Sequence, residues 1–223
     1  MAELDGPRQG PRAGGGARQL VVLLHGVGAE GADLIGLALA LAEALPHAAF
    51  AAPDAPAPYD MAPFGRQWFS VADRTPAALE AGLRRTAPAL GAFLAAELAR
   101  HSLPPSALAL LGFSQGAMMA LFCGLRQPPV PAAILAYSGA LLAADSLPAE
   151  LAARPPVLLV HGESDDVVPV QASRMAEQVL LAAGVPVAAQ YRRGLDHSMD
   201  EQGLAAGAAL LARIFGMGTV TGA

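Results

Sequence analysis

The residues most able to do chemistry form a G-x-S-x-G pattern at Gly112, Ser114 and Gly116. An apolar run of strand length precedes the pattern, and an Ala- and Met-rich run without a helix breaker follows it. This context is typical of a strand, a tight turn and a helix that together present a serine hydroxyl for acyl transfer. We therefore predict that Ser114 is a nucleophile beside free N–H groups at a helix start. The alternative is a glycine-rich turn whose serine has no catalytic role, because such a short pattern can arise by chance.

A serine hydroxyl attacks only when a base takes its proton and an acid orients that base. In a strand–turn–helix setting of this kind, the acid and then the histidine follow the serine in the chain. Two histidines, His161 and His197, follow Ser114. His161 comes before the acidic residues and His197 comes after them, so we predict that His197 is the base. The candidate acids are Glu163, Asp165 and Asp166.

A negative oxygen formed during acyl transfer needs two hydrogen-bond donors that are in place beforehand. The residue after the nucleophile supplies one such donor, which here is the backbone N–H of Gln115. The loop after the first predicted strand supplies the other. In the segment His25–Gly28, the natural candidate is the backbone N–H of Val27, because the flanking glycines let the main chain approach a substrate.

The wider hydrophobic pattern predicts an α/β domain. Apolar runs predict strands near residues 20–24, 48–52, 108–112, 132–137 and 156–160, and alternation predicts another near residues 185–192. Helical spacing predicts helices near residues 33–45, 76–100, 169–183 and 200–215, besides the one after Ser114. Asp33 is expected to cap the first helix, and Pro88 is expected to kink or divide the second. Because strands and helices alternate, we expect a mostly parallel sheet with helices on both faces and the site at the strands' carboxyl ends.

Length and composition fit one large domain. The chain has 223 residues, of which 54% are hydrophobic and 15% are charged. We expect a flexible tail over residues 1–18, the domain over residues 19–216 and a frayed tail over residues 217–223. The net charge is −5 and no basic stripe is present, so nucleic acid is not an expected partner. All 14 basic residues are arginine, which excludes a lysine nucleophile.

The cysteine content and the hydropathy of the chain indicate in which cellular compartment the protein is expected. Cys123 is the single cysteine, so the chain forms no internal disulfide and has no Cys-x-x-Cys pair for zinc. This composition is compatible with a cytoplasmic location. The longest apolar runs are too short or too interrupted to span a membrane, and the first residues lack the apolar core of a signal peptide.

Taken together, several segments resemble the phospholipase/carboxylesterase family, which includes acyl-protein thioesterases and small bacterial carboxylesterases. The resemblance covers about residues 20–215. It is carried by the segments Leu24–Gly28, Arg66–Phe69, Gly112–Ala117, His161–Pro169 and Asp196–His197.

The resemblance implies an α/β-hydrolase fold without a large lid domain and a serine carboxylesterase that needs no metal or cofactor. Its acidic motif, H-G-x-x-D-x-x-V-P, implies that Asp165 is the catalytic acid, although Asp166 stands where relatives often have proline. The oxyanion donors carry over to Val27 and Gln115.

The family's Trp-Phe pair carries over to Trp68 and Phe69, which are therefore expected to border the acyl pocket. The expected substrate is a small acyl ester, and a homodimer is implied because family members often form dimers. Two alternatives stay open: an acyl-thioesterase or lysophospholipase of the same family, and a non-catalytic scaffold that binds a ligand or a partner.

Overall fold

The computed structural model of the protein describes residues 3–216, in which strands and helices alternate as the sequence predicts. The strands are β1 (Arg8–Gln9), β2 (Gln19–Leu24), β3 (Ala48–Ala51), β4 (Ala57–Pro58), β5 (Arg66–Gln67), β6 (Leu108–Phe113), β7 (Ala133–Tyr137), β8 (Val157–Gly162) and β9 (Val187–Arg192). The helices are α1 (Gly31–Leu34), α2 (Leu37–Ala44), α3 (Pro76–Arg100), α4 (Gln115–Arg126), α5 (Leu147–Glu150), α6 (Gln171–Ala182) and α7 (Glu201–Gly216).

Seven of the strands form one sheet in the order β1-β3-β2-β6-β7-β8-β9. All neighbours in this sheet are parallel except β1, which runs antiparallel to β3 at one edge. Because the parallel strands point the same way, their carboxyl ends lie along one edge. The loops that leave β2, β6, β8 and β9 therefore meet there, which is where parallel sheets usually carry their sites.

The central strands are buried on both faces, and this explains their uninterrupted apolar sequences. In β2, Leu20 and Leu24 pack with one hydrophobic layer, whereas Val21 and Leu23 pack with the other. The first layer also contains apolar side chains of α3, α4 and α6. The second layer is completed by α2 and α7. Helices thus cover both faces of the sheet, as predicted.

Two helices differ from the prediction. The segment expected to be one helix over residues 33–45 is divided into α1 and α2 at Ile35 and Gly36. Glu30 is the N-cap of α1, and Asp33 closes the first turn from within by accepting a hydrogen bond from the Glu30 backbone N–H at 2.8 Å. In contrast, α3 continues past Pro88 as one helix, because its buried face continues on both sides of the proline.

The N-terminal segment is attached to the domain rather than forming the expected tail. Arg8 and Gln9 pair with β3, and the side chain of Leu4 is 5% exposed. The Arg8 guanidinium also donates hydrogen bonds to Glu97 of α3. Short strands of two residues carry little periodicity, which is why the sequence pattern did not reveal this attachment. The tail predicted over residues 217–223 lies outside the described residues.

The proline-rich loop over residues 53–73 contains a small hairpin formed by β4 and β5. This hairpin lies against the loop that follows β2. The Gly28 N–H donates to the Arg66 carbonyl at 2.8 Å, and the Arg66 N–H donates to the Ala29 carbonyl at 3.1 Å. Gly65 has a φ of +77°, and a Cβ there would lie 2.0 Å from the Gly28 oxygen. The hairpin therefore fixes the loop that contains Val27.

Candidate active site

Ser114 lies at a sharp turn between β6 and α4. Its φ of 54° and ψ of −118° are unusual for a residue with a side chain, and such strain is typical of functional turns. The turn is close because its glycines have no Cβ. A Cβ on Gly112 would lie 2.3 Å from the Gly116 oxygen, and a Cβ on Gly116 would lie 1.9 Å from the Leu24 oxygen. The G-x-S-x-G pattern is thus required by the packing of α4 on β6 and β2.

His197 connects Ser114 to an acid. It lies in the loop between β9 and α7, where its Nε2 is 3.0 Å from Ser114 Oγ. Its Nδ1 is 2.7 Å from Asp165 Oδ2. The ring of Phe113 packs beside the imidazole, with the two ring centroids 4.9 Å apart. The imidazole is therefore oriented by a carboxylate on one side and faces a serine hydroxyl on the other.

Among the three candidate acids, Asp165 is the one that contacts His197. Its side chain is buried, whereas Glu163 and Asp166 are exposed and Glu163 pairs with Arg174. Asp165 Oδ1 accepts hydrogen bonds from the backbone N–H groups of Val167 and Val168 at 3.0 and 2.8 Å.

Burial by itself raises the pKa of Asp165, because a buried charge is poorly solvated. The hydrogen bonds from His197, Val168 and Val167 more than offset this effect and hold the pKa of Asp165 below its usual value. Asp165 is therefore ionised near neutral pH and can orient His197.

The expected oxyanion donors lie on either side of Ser114. Val27 follows β2, and its neighbour Gly26 approaches Ser114 so closely that a Cβ there would lie 3.3 Å from the Ser114 Cβ. Gln115 is the first residue of α4, where a backbone N–H has no partner within the helix. Within residues 3–216, neither the Val27 N–H nor the Gln115 N–H donates to an acceptor of the chain. Both groups are free to bind a ligand oxygen.

Trp68 and Phe69 lie away from the cavity beside Ser114. Both side chains are buried, at 1% and 4% exposure, in the layer that contains α3 and α4. The Trp68 indole donates to the His25 carbonyl, and the Gln115 side-chain amide binds the Trp68 N–H and the Phe69 carbonyl. Neither residue lines this cavity, and their contact with an acyl group stays a prediction. Their hydrogen bonds join the segment after the hairpin to α4 and to the end of β2.

A cavity of about 490 Å³ opens beside Ser114 and His197. Its wall is apolar, and the imidazole of His197 is its one titratable group. The lining residues are Gly26, Val27, Ala29, Leu34, Leu37, Phe113, Ser114, Val167, His197, Ser198 and Met199. Leu34, Leu37 and Met199 were not predicted from the sequence. The spacing of Leu34 and Leu37 is equally typical of a core face, and the break between α1 and α2 lies between them. Met199 lies in the loop before α7, where no periodicity singles it out.

A larger cleft of about 850 Å³ lies between the N-terminal segment and α3, but it contains no candidate catalytic residue. Four of its charged groups pair with one another, since Arg8 contacts Asp5 and Glu97, and Arg100 contacts Glu97. Residues 3–216 contain no group of three or more His, Cys, Asp or Glu side chains placed to hold a metal ion. Over the same residues, no helix has the length and apolar character needed to cross a membrane.

Cys123 is buried in α4, and burial raises the pKa of its thiol well above the usual range. Such a thiol is not a nucleophile near neutral pH. His25 is also buried, and burial lowers the pKa of its imidazole, so the ring is neutral. Its Nε2 accepts a hydrogen bond from the Ala55 N–H at 2.9 Å, so the ring connects the end of β2 to the loop after β3.

The parallel sheet, the strained serine turn and the flanking loops define an α/β-hydrolase fold without a large lid domain. A sequence model of the phospholipase/carboxylesterase family matches residues 12–213, and the chain belongs to that family. It is similar to the esterase YpfH of Escherichia coli (strain K12), with 28% identity over 188 residues that span 84% of this chain and 79% of that protein.

A solved structure and a further sequence relative agree with this assignment. The crystal structure of esterase PE8 matches with a TM-score of 0.91 and 42% identity, over 96% of this chain and 100% of that one. Acyl-protein thioesterase 1 of Schizosaccharomyces pombe is 35% identical, but over 105 residues that span 46% of each chain. The chain is therefore a carboxylic ester hydrolase, as the resemblance in its sequence implied.

Proposed function

We propose that the protein is a serine carboxylesterase that hydrolyses acyl esters through a covalent acyl-enzyme. The observation that carries the proposal is the continuous contact from Ser114 Oγ to His197 Nε2 at 3.0 Å and from His197 Nδ1 to Asp165 Oδ2 at 2.7 Å. An arrangement of this kind lets a serine lose its proton as it attacks a carbonyl carbon.

In the acylation half of this mechanism, Ser114 Oγ forms a bond to the ester carbonyl carbon and its proton passes to His197 Nε2. The backbone N–H groups of Val27 and Gln115 hold the resulting oxyanion. When the tetrahedral intermediate collapses, the bond to the alcohol breaks and His197 gives its proton to the departing oxygen. Asp165 stabilises the charged imidazole throughout.

In the deacylation half, His197 takes a proton from water, and the hydroxide attacks the acyl carbon. The bond to Ser114 Oγ then breaks, the proton returns to the serine, and a carboxylic acid leaves. The apolar cavity beside Ser114 would hold the acyl chain, because it offers hydrophobic surface and no fixed charge apart from His197 when protonated.

The test is hydrolysis of a p-nitrophenyl ester series from C2 to C16 by wild type and Ser114→Ala. We expect the variant to lose at least a thousand-fold in kcat while keeping its fold. Ser106→Ala, which removes an exposed serine far from the cavity, is the matched control and should retain wild-type rates. Wild-type turnover by Ser114→Ala would refute the mechanism.

A second candidate activity is hydrolysis of thioesters, which is favoured by the partial similarity to acyl-protein thioesterases. The ratio of kcat/KM for matched oxygen esters and thioesters decides between the two. Stoichiometric labelling of Ser114 by a fluorophosphonate would exclude the non-catalytic scaffold. The homodimer and the cytoplasmic location stay predictions, for which sedimentation analysis and cell fractionation are the measurements.

A further inference from the structure

Asp165 makes a second histidine contact that the proposed mechanism does not use. His161 is fully buried at the end of β8, and its Nε2 lies 3.1 Å from Asp165 Oδ2, the same oxygen that contacts His197. The same nitrogen lies 2.8 Å from the Val168 carbonyl oxygen. On the other side of the ring, Nδ1 lies 2.6 Å from Ser173 Oγ of α6.

These contacts define which ring nitrogen of His161 carries a proton. Nε2 faces two oxygens that can only accept, because a carbonyl and an ionised carboxylate have no proton to give. An unprotonated Nε2 would therefore face two lone pairs in a buried setting, which is strongly unfavourable. Nε2 must carry a proton. Nδ1 lies 2.6 Å from Ser173 Oγ, which also lies 3.3 Å from the Gly139 carbonyl oxygen, so Ser173 orients the ring from its other side.

His161 contacts the Val168 carbonyl as well as the Asp165 carboxylate, and both groups belong to one turn. The turn from Asp165 to Val168 is closed by two N–H groups that bind Asp165 Oδ1. His161 binds the Val168 carbonyl of this same turn. It therefore holds the turn on the side away from His197, and its Nε2 lies 3.1 Å from Asp165 Oδ2.

We propose that His161, oriented by Ser173, is a positioning residue that holds the turn from Asp165 to Val168 and keeps the Asp165 carboxylate aimed at His197. This inference rests on the proposed Ser–His–Asp mechanism and adds a fourth and a fifth side chain to it. When His197 becomes positively charged during catalysis, a displaced Asp165 would no longer stabilise it. His161 acts through Asp165, since it is absent from the residues that line the cavity.

The test compares three substitutions that separate hydrogen bonding from packing. His161→Leu removes the Nε2 donor at similar volume. His161→Gln places an amide N–H close to the former Nε2, and His161→Asn places it closer to the former Nδ1. We expect kcat to fall about 10-fold to 100-fold in His161→Leu, as when outer partners of metal-bound histidines are removed. KM should stay within about two-fold, because substrate does not touch the residue.

His161→Gln should recover most of the lost kcat, and His161→Asn should not. His47→Leu, at a partly exposed histidine before β3, is the matched control and should keep wild-type kinetics. Ser173→Ala serves as a milder variant if His161→Leu does not fold. It should reduce kcat less than His161→Leu does, because the Nε2 contacts remain while the ring loses its orienting hydroxyl.

The low-field proton resonance of the His197–Asp165 hydrogen bond gives a readout that does not depend on turnover. It should broaden or move upfield in His161→Leu and return in His161→Gln. Wild-type kcat and an unchanged resonance in His161→Leu and Ser173→Ala would overturn the inference. Equal losses in His161→Leu, His161→Gln and His161→Asn would also overturn it, because they would indicate packing alone. An inactive wild type would instead refute the proposed function, and the resonance would still test the positioning role.

Discussion

Asp165 and Asp166 are adjacent in the chain, yet their environments differ sharply. Asp165 is 8% exposed and contacts two histidines, whereas Asp166 faces solvent. Two N–H groups of the following turn bind Asp165 and fix its side chain inward. Successive residues of a turn point in different directions, so only one of the two carboxylates can reach His197.

We predict that Asp165→Asn lowers kcat for p-nitrophenyl esters by about a thousand-fold to ten-thousand-fold. An amide group donates to His197 Nδ1, so the other ring nitrogen holds the proton and cannot accept one from Ser114. Asp166→Asn makes the same change one residue away and should stay within two-fold of wild type. Similar losses in both variants would assign the orienting role to the pair rather than to Asp165.

The catalytic roles of some of these residues could be predicted from the sequence better than those of others. The G-x-S-x-G pattern between a strand and a helix pointed to Ser114, and chain order pointed to His197, because only two histidines lie downstream and one of them precedes the acids. It did not separate Asp165 from Asp166, since turn geometry is not visible in spacing, and the resemblance to a family favoured Asp165. Spacing does not place Trp68 relative to the acyl pocket, because side-chain direction after an irregular loop depends on where the core leaves space.

At the scale of elements, the helices on either side of the break between α1 and α2 each contribute one leucine to the cavity wall. A single helix over this segment was the expectation, because the apolar positions keep helical spacing through it. Ile35 and Gly36 keep helical dihedral angles but belong to neither helix, and α2 begins at Leu37. Leu34 before the break and Leu37 after it both line the cavity. Spacing predicted the apolar face correctly but could not indicate that part of it lines the cavity beside Ser114.

We predict that Leu37→Phe shifts the preferred p-nitrophenyl ester toward shorter acyl chains. The larger ring fills part of the cavity, and kcat/KM for the longest accepted ester should fall about ten-fold. Leu39→Phe is the matched control on the same helix, because Leu39 is 69% exposed and absent from the lining. An unchanged chain-length profile for Leu37→Phe would show that acyl groups bind elsewhere.

At the scale of the molecule, the N-terminal segment is joined to the domain by its pairing with β3 and by an ion pair between Arg8 and the buried carboxylate of Glu97. Arg8 donates to Glu97, whose side chain is 2% exposed, and its guanidinium lies over the Phe93 ring. Burial raises the pKa of Glu97, but hydrogen bonds from Arg8 and Arg100 outweigh burial and lower it below its ordinary value of 4.5. The composition of residues 1–18 predicted a tail because such long-range pairs leave no local pattern.

We predict that Arg8→Ala lowers the free energy of unfolding by about 2 kcal/mol at pH 7, because Glu97 loses a charged partner. A carboxyl with a lowered pKa contributes stability above its ordinary pKa, and this contribution is lost as the pH falls. The difference between wild type and Arg8→Ala should therefore shrink below about pH 4.5. Urea unfolding at several pH values measures it.

Arg12→Ala is the matched control, since Arg12 pairs with Glu43 in full solvent exposure and such pairs contribute little. It should unfold like wild type at every pH. Neither arginine lines the cavity, so ester hydrolysis should be unchanged in both variants. A pH-independent difference for Arg8→Ala would mean that packing on Phe93, not charge, joins the segment to the domain.

The three proposed catalytic side chains are contributed by distant parts of the chain. Ser114 and His197 are 83 residues apart, and Asp165 and His197 are 32 apart. A chain still emerging from the ribosome carries Ser114 long before His197 exists, so its hydroxyl stays as inert as that of any free serine. Reactivity arises only when β9 joins the sheet beside β8. In the proposed mechanism, the serine therefore becomes reactive only after the domain has folded. Incomplete chains do not expose an activated serine to the acyl donors around them.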